Sequence, residues 1–246
     1  MPPPPTITPL LVAELLVEGE RWPVYVHVID HPAARVLVDT GMTELHPEVA
    51  DLDPRLVPLS EQAFDLTGVD VVVNTHLHFD HCGGNHLFAG RPIYVQRQEL
   101  EDARTEDDYT IREWVEAPGV RYEPVDGELE LLPGLRLVPA PGHTRGLQVV
   151  VVETGGRPIV VGGDVAVRFG ELDEPRTEGQ LRVCVRARAR ARLARAERML
   201  ARVPLGPQRV DERLREEALE LTLARTGVEM PCLVIQPLND SEELRG

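Results

Sequence analysis

Up to about residue 180, apolar positions fall into short runs separated by glycine, proline and charged residues. These are "LLVAELLV" at 10–17, "VYVHVI" at 24–29, "RVLVDT" at 35–40, "VDVVVNT" at 69–75, "PIYVQ" at 92–96, "LRLVPA" at 135–140, "LQVVVVET" at 147–154 and "PIVVGGD" at 158–164. Runs this short, rich in β-branched residues and bounded by turn formers, predict buried strands. Two polar segments between them, Gln96 to Arg104 and Tyr109 to Glu116, have helical character. Strands that outnumber the helices interposed among them predict an α/β fold, with two sheets packed face to face and covered by helices.

The texture changes near residue 182. "VCVRARARARLARAERMLARV" alternates Arg with Ala, a period of two that suits neither an amphipathic helix nor a strand with an apolar face. Propensity favours a helix there. The chain therefore divides into a core over 1–182 and an Arg/Ala-rich region over 183–246, expected to be helical and to pack on the same domain. Charge is divided in the same way. All 26 basic residues are Arg, nine of them between Arg182 and Arg209, so that stretch carries about +8 and the remainder about −23 of the net −15. An acidic body disfavours nucleic acid or an anionic membrane as partner. No apolar run is long enough to span a bilayer, and "MPPPPTITPL" has no basic or apolar leader region, so a cytoplasmic protein is expected. Cys82, Cys184 and Cys232 are odd in number and have no paired spacing, which predicts reduced thiols.

The candidate chemistry begins where one of the apolar runs ends. "THLHFDH" places His76, His78, Asp80 and His81 within six residues of each other, immediately after "VDVVVN". Imidazole and carboxylate are the ligand set of zinc and other first-row divalent ions. His76 and His78 can share one ion, and Asp80 and His81 can reach a second across the turn. Four donors do not complete two coordination shells. His143 in "PAPGHTRG" and Asp164 in "VVGGDV" sit at the ends of later runs, the same topological position, and a carboxylate such as Asp164 can bridge two cations.

H-x-H-x-D-H, followed about 60 residues later by P-G-H-T and about 20 further on by G-D, resembles the metallo-β-lactamase superfamily. "VLVDTGM", "THLHFDHCGGN" and "RPIYVQRQELEDA" resemble its N-acyl-homoserine lactone lactonase branch most, and the likeness covers roughly residues 10 to 175. The resemblance implies an αββα sandwich of two mixed β-sheets covered by helices, with two zinc ions (or Mn, Co or Fe) as cofactors. It implies one ion on His76, His78 and His143, a second on Asp80 and His81, and Asp164 bridging both. Asp39 of "LVDTG" would orient a ligand histidine, although an aspartate before Thr40 and Gly41 also suits plain turn capping. The expected activity is metal-dependent hydrolysis of an ester-like bond in a small molecule, a lactone first, with Asp80 or Asp164 moving the proton. A thioesterase, a phosphodiesterase or a non-catalytic relative on the same scaffold are the alternatives.

Two departures from the family pattern bear on the activity. The family places a further histidine late in the chain, and none follows His143; it also places a tyrosine where Val167 stands. The missing histidine and the Arg/Ala texture share one third of the chain, a combination that a shifted reading frame in a high-GC gene would produce. Translating the neighbouring frames past codon 182 tests this. The remaining histidines, His27, His31, His46 and His86, read as surface or turn residues, and Cys82 reads as a small residue packed under the metal turn in preference to a nucleophile. Ser60 and Ser241, the only serines, lie in no nucleophile motif.

Overall fold

The computed structural model describes residues 3–57, 59–62, 64–155, 158–166 and 177. The Arg/Ala-rich region over 183–246 and position 167 lie outside them, as do the expectations placed there. The chain opens with a long antiparallel hairpin, β1 (Thr6–Val17) and β2 (Glu20–His31), closed by Glu18 and Gly19. Both turn residues have positive φ, 52° and 85°, the mirror-image turn whose twist matches that of the strands it joins. β3 (Ala34–Val38) returns antiparallel to β2. From β3 the sheet continues in parallel through β5 (Val71–Val73), β6 (Pro92–Gln96) and β7 (Arg121–Val125), while the two-residue β4 (Arg55–Leu56) adds an edge beyond β1. The resulting order is β4-β1-β2-β3-β5-β6-β7, a mixed sheet of seven strands. A second sheet contains β8 (Leu129–Leu132), β9 (Leu135–Pro139), β10 (Gln148–Val152) and β11 (Ile159–Val161), antiparallel across its described strands.

Strand alternation assigns the two faces of the first sheet. Ile29, Val36, Val38 and Val73 pack against Leu135, Leu137, Val150 and Val152 of the second sheet, and this is the core between the sheets. Val24, Val26, Val28, Leu37 and Val72 point the other way, onto Phe88, Ile111 and Trp114. The helices α1 (Phe79–Cys82), α2 (Arg97–Thr105) and α3 (Arg112–Val115) belong to this outer layer, with Leu77, Cys82, Val95, Leu100, Ala103 and Val115 forming a smaller core beneath them. The far helical layer of the expected αββα order falls outside the described residues. All five residues of "QVVVV" in β10 are buried, the pattern of a strand covered on both faces. No helix among the described residues is long and apolar enough to cross a membrane.

The eight apolar runs all carry strands, but their bounds narrow. Of residues 69–75 only Val71–Val73 is strand, and the expected helix over 109–116 forms as Arg112–Val115 alone. β7 and β8 were not among the expected runs. Charges at Arg121, Glu123 and Glu130 break their apolar signal, and both strands lie at sheet edges, where one side of the strand needs no burial.

The topology brings the carboxyl ends of β3, β5 and β6 to one edge. Loops leaving parallel strands converge at that edge, and it is where open α/β sheets place their sites.

Candidate metal centre

Asp39 follows β3 directly and Asn74 to His78 follow β5, so the parallel pairing of these strands sets the two loops side by side. Asp39 adopts a left-handed conformation at φ 61°, which aspartate tolerates better than most residues. Its buried carboxylate then accepts from Thr75 N at 2.7 Å, from Thr75 Oγ1 at 2.8 Å and from His81 Nδ1 at 2.9 Å. The Asp39 carboxylate thus reaches across to His81 and to the loop after β5, with no hydrogen bond of its side chain to its own turn among the described residues. A second buried network supports the loops. Thr40 Oγ1 donates to Asn85 Oδ1, Asn85 Nδ2 to Asn74 Oδ1, and Asn74 Nδ2 to the His81 carbonyl. Gln148 on β10 donates to the Asn74 carbonyl, which ties the second sheet to the same loop.

All six expected donors come together. His78 Nδ1 lies 3.0 Å from His143 Nε2. Asp164 Oδ1 lies 3.3 Å from His81 Nε2, while its Oδ2 lies 3.4 Å from His143 Nε2 and 3.9 Å from His76 Nε2. One carboxylate therefore faces both halves of the cluster. Asp80 Oδ2 lies 3.6 Å from His81 Nε2. Two trios, His76–His78–His143 and His76–His81–Asp164, have donor atoms within 4.8 Å of one another.

This arrangement fits a cation on two grounds. The buried His76 Nε2 has no hydrogen-bond partner, a costly state for an imidazole nitrogen unless a ligand completes it. The charges point to the same conclusion. Burial would lower the pKa of His81, but Asp164, Asp80 and Asp39 outweigh it and hold the imidazole well above its ordinary value. Burial likewise would raise Asp164, yet His81 chiefly, then His76 and His143, hold it below the carboxylate range. Asp80 is raised, mainly by burial. A proton on His81 thus supplies the positive charge these carboxylates call for. Burial first, then the neighbouring imidazoles, pushes His78 down to about 4 and His76 well below its ordinary value, so both keep a lone pair available at neutral pH.

A cleft of about 540 Å³ opens beside His78, walled by Val49, Leu52, Phe79, Tyr109 and Ile111 and bordered by carboxylates including Asp108. Cys82 is excluded as a nucleophile: its buried Sγ donates to the Leu77 carbonyl, and burial pushes the thiol up to about 12. His31, His46 and His86 bond to backbone in their own turns, as expected of lone histidines. His27 differs. Strand alternation turns it onto the face between the sheets, where it is 8% exposed and its Nε2 has no hydrogen-bond partner. Burial lowers its pKa to about 4. Because the unfolded chain binds this proton near pH 6.5, stability falls as pH drops from there towards 4. Between pH 7 and 5, His27 is expected to cost about 2 kcal/mol. In metal-free protein the urea midpoint of His27→Leu should therefore fall less over this range than that of wild type, and equal falls would remove His27 as a cause.

The residues that sequence reasoning missed are the supports, Glu99 above all. Glu99 is fully buried, and its carboxylate accepts from Leu77 N at 2.8 Å, from Tyr109 OH at 2.5 Å and from Thr144 Oγ1 at 2.6 Å. The available signal was helical spacing: Glu99, Leu100, Asp102 and Ala103 form the buried face of α2.

A family model described as metallo-beta-lactamase superfamily matches residues 19–220. An N-acyl homoserine lactonase of a Bacillus species is 32% identical over 162 residues, which cover 58% of this chain and 64% of the relative. The match thus spans less than two thirds of that relative's length. A Bacillus thuringiensis AiiA variant, solved with N-decanoyl-L-homoserine at its active site, superposes with a TM-score of 0.62 at 23% identity, covering 76% of this chain and 88% of that one. An N-acyl homoserine lactone hydrolase with N-hexanoyl-L-homoserine at its catalytic metal centre gives 0.61 at 22%, over 77% and 88%. At these identities the structural likeness is one of fold.

Proposed function

Since the chain belongs to the metallo-beta-lactamase superfamily, we propose that it is a metal-dependent hydrolase of ester-like bonds in small molecules, with a lactone as first substrate and the cytoplasm as its place of action. The observation that carries the reading is the convergence of three imidazoles and Asp164 around the unpartnered Nε2 of His76. His76, His78 and His143 would hold one ion, Asp80 and His81 a second, and Asp164 would face both. Zinc suits this donor set, and Mn, Co or Fe are alternatives. Bound there, such ions supply a water-derived nucleophile at neutral pH and polarise the substrate carbonyl.

The chain's own residues do the rest. Asp39 holds His81 with Nδ1 protonated, so that Nε2 faces Asp80 and Asp164. Asp80 and Asp164 both face His81 Nε2, and one of them would take the proton from the nucleophile and pass it to the leaving alkoxide. The cleft beside His78 seats the substrate. Its apolar wall suits an acyl group, and Glu48, Asp51 and Asp108 at its border repel an anion, which favours a neutral lactone over a phosphodiester. The activity of the lactonase relatives makes an N-acyl homoserine lactone the first compound to try.

The test offers chelator-stripped chain, reloaded with Zn, Mn or Co, an N-acyl homoserine lactone, a thioester and a phosphodiester. Metal-dependent opening of the lactone is expected. Turnover of the phosphodiester alone would refute the substrate class, and turnover of none would leave a non-catalytic relative.

A further inference from the structure

We propose that Glu99 is the positioning residue of the three-histidine site, one buried carboxylate that fixes the separate loops carrying His76, His78 and His143. The inference rests on the metal-site reading above. Neither His76 nor His78 hydrogen-bonds to Glu99; the residue between them does, Leu77 donating its N–H to Oε1. Thr144, next to His143, donates its hydroxyl to Oε2. Tyr109 donates to Oε1, and its ring packs against His78 with centroids 5.2 Å apart. Three donors from three segments therefore meet on the two oxygens of one side chain. Each sits beside or against a proposed ligand.

The surrounding contacts leave little freedom for a substitute. Arg145 forms a bidentate pair with the buried Asp102, one turn along α2 from Glu99, and also reaches Glu106. A Cβ on Gly146 would lie 2.2 Å from Glu99 N, so the His143 loop packs directly on the backbone of α2. The helix grips the loop at Thr144 and at the two residues that follow it, and the Glu99 carboxylate joins that grip to the His76–His78 turn. Imidazole donors must be held in place before an ion arrives, and losing the groups that orient them typically weakens metal binding about 10- to 100-fold.

Glutamine at this position keeps the size of the side chain but replaces one of the two accepting oxygens with an NH₂ donor. Full-length Glu99→Gln, stripped of metal, is titrated with Co(II) and followed by its visible spectrum, while melting is measured in chelator. Binding weaker by about tenfold or more, with a changed spectrum, is expected from protein still folded at the titration temperature, even though an amide donor among buried donors lowers its metal-free melting temperature. Thr144→Val removes a single donor and carries the same expectation if Glu99→Gln fails to fold. Wild-type affinity and spectrum in the variants would overturn the role of Glu99 alone, whereas wild-type chain that binds no Co(II) would overturn the metal-site reading with it. A loss of affinity that only tracks a fallen metal-free melting temperature, in both variants, would reduce Glu99 to a structural residue and overturn the proposal.

Discussion

His76→Ala is expected to abolish tight metal binding and to lower metal-dependent turnover about a thousandfold or more, equivalent to about 4 kcal/mol in the barrier. His76 is the residue common to both donor trios, and its Nε2 lies where the other imidazoles and Asp164 converge. No other histidine among the described residues occupies that point. The same buried nitrogen makes the effect on folding small. Deleting a buried aromatic ring costs about 3–5 kcal/mol, but a polar atom buried without a partner is itself unfavourable by about 1–3 kcal/mol, and the substitution removes that cost. Metal-free His76→Ala should thus lose less stability than an ordinary core truncation. Wild-type metal binding by a folded His76→Ala protein would place the ion elsewhere.

Asp39→Asn is expected to weaken the ion held through His81 by about 10- to 100-fold and to cost about 1–3 kcal/mol of stability. Asparagine tolerates the left-handed conformation at φ 61° and matches the size of aspartate, so the substitution isolates the carboxylate. At Oδ2 the native residue accepts from both Thr75 Oγ1 and His81 Nδ1. An amide NH₂ there meets donors with a donor, and His81 must move its proton to Nε2, the nitrogen that faces Asp80 and Asp164. Asp39→Ala leaves all three donors without this acceptor and should destabilise further. Metal affinity and a denaturant midpoint measured on the same Asp39→Asn preparation check both parts. Unchanged affinity would show that the orientation of His81 does not depend on Asp39.

The six donors were legible because each is anchored at the end of an apolar run, and strands are easily read when both faces or alternate residues are buried. His76, His78, Asp80 and His81 share one loop, so their proximity needed no knowledge of the fold. His143 and Asp164 were offered as further donors by their position at the ends of later apolar runs, and the family resemblance then implied which ion each would hold. The supports were less legible. Glu99 in "RQELEDA" reads as an ordinary acid on a short polar helix, and only the packing of α2 against two loops makes it a buried acceptor. His27 reads as a surface or turn residue, but it lies on β2, and which face of that strand is covered depends on the second sheet, far away in sequence. Asn74, Asn85 and Gln148 form a polar network inside the core, where composition favours apolar residues, because loops that leave a sheet edge carry backbone groups in need of partners. β7 and β8 escaped for the opposite reason, as edge strands can carry charges.

The account stands most directly on whether the converging imidazoles bind metal. Calorimetric titration of chelator-stripped full-length chain with Zn(II) should show a tight first equivalent that disappears in His76→Ala. A weaker second equivalent should follow, because no histidine after His143 is available to complete the Asp80–His81 half. Zinc binding by wild type no tighter than that of His76→Ala would contradict the central claim.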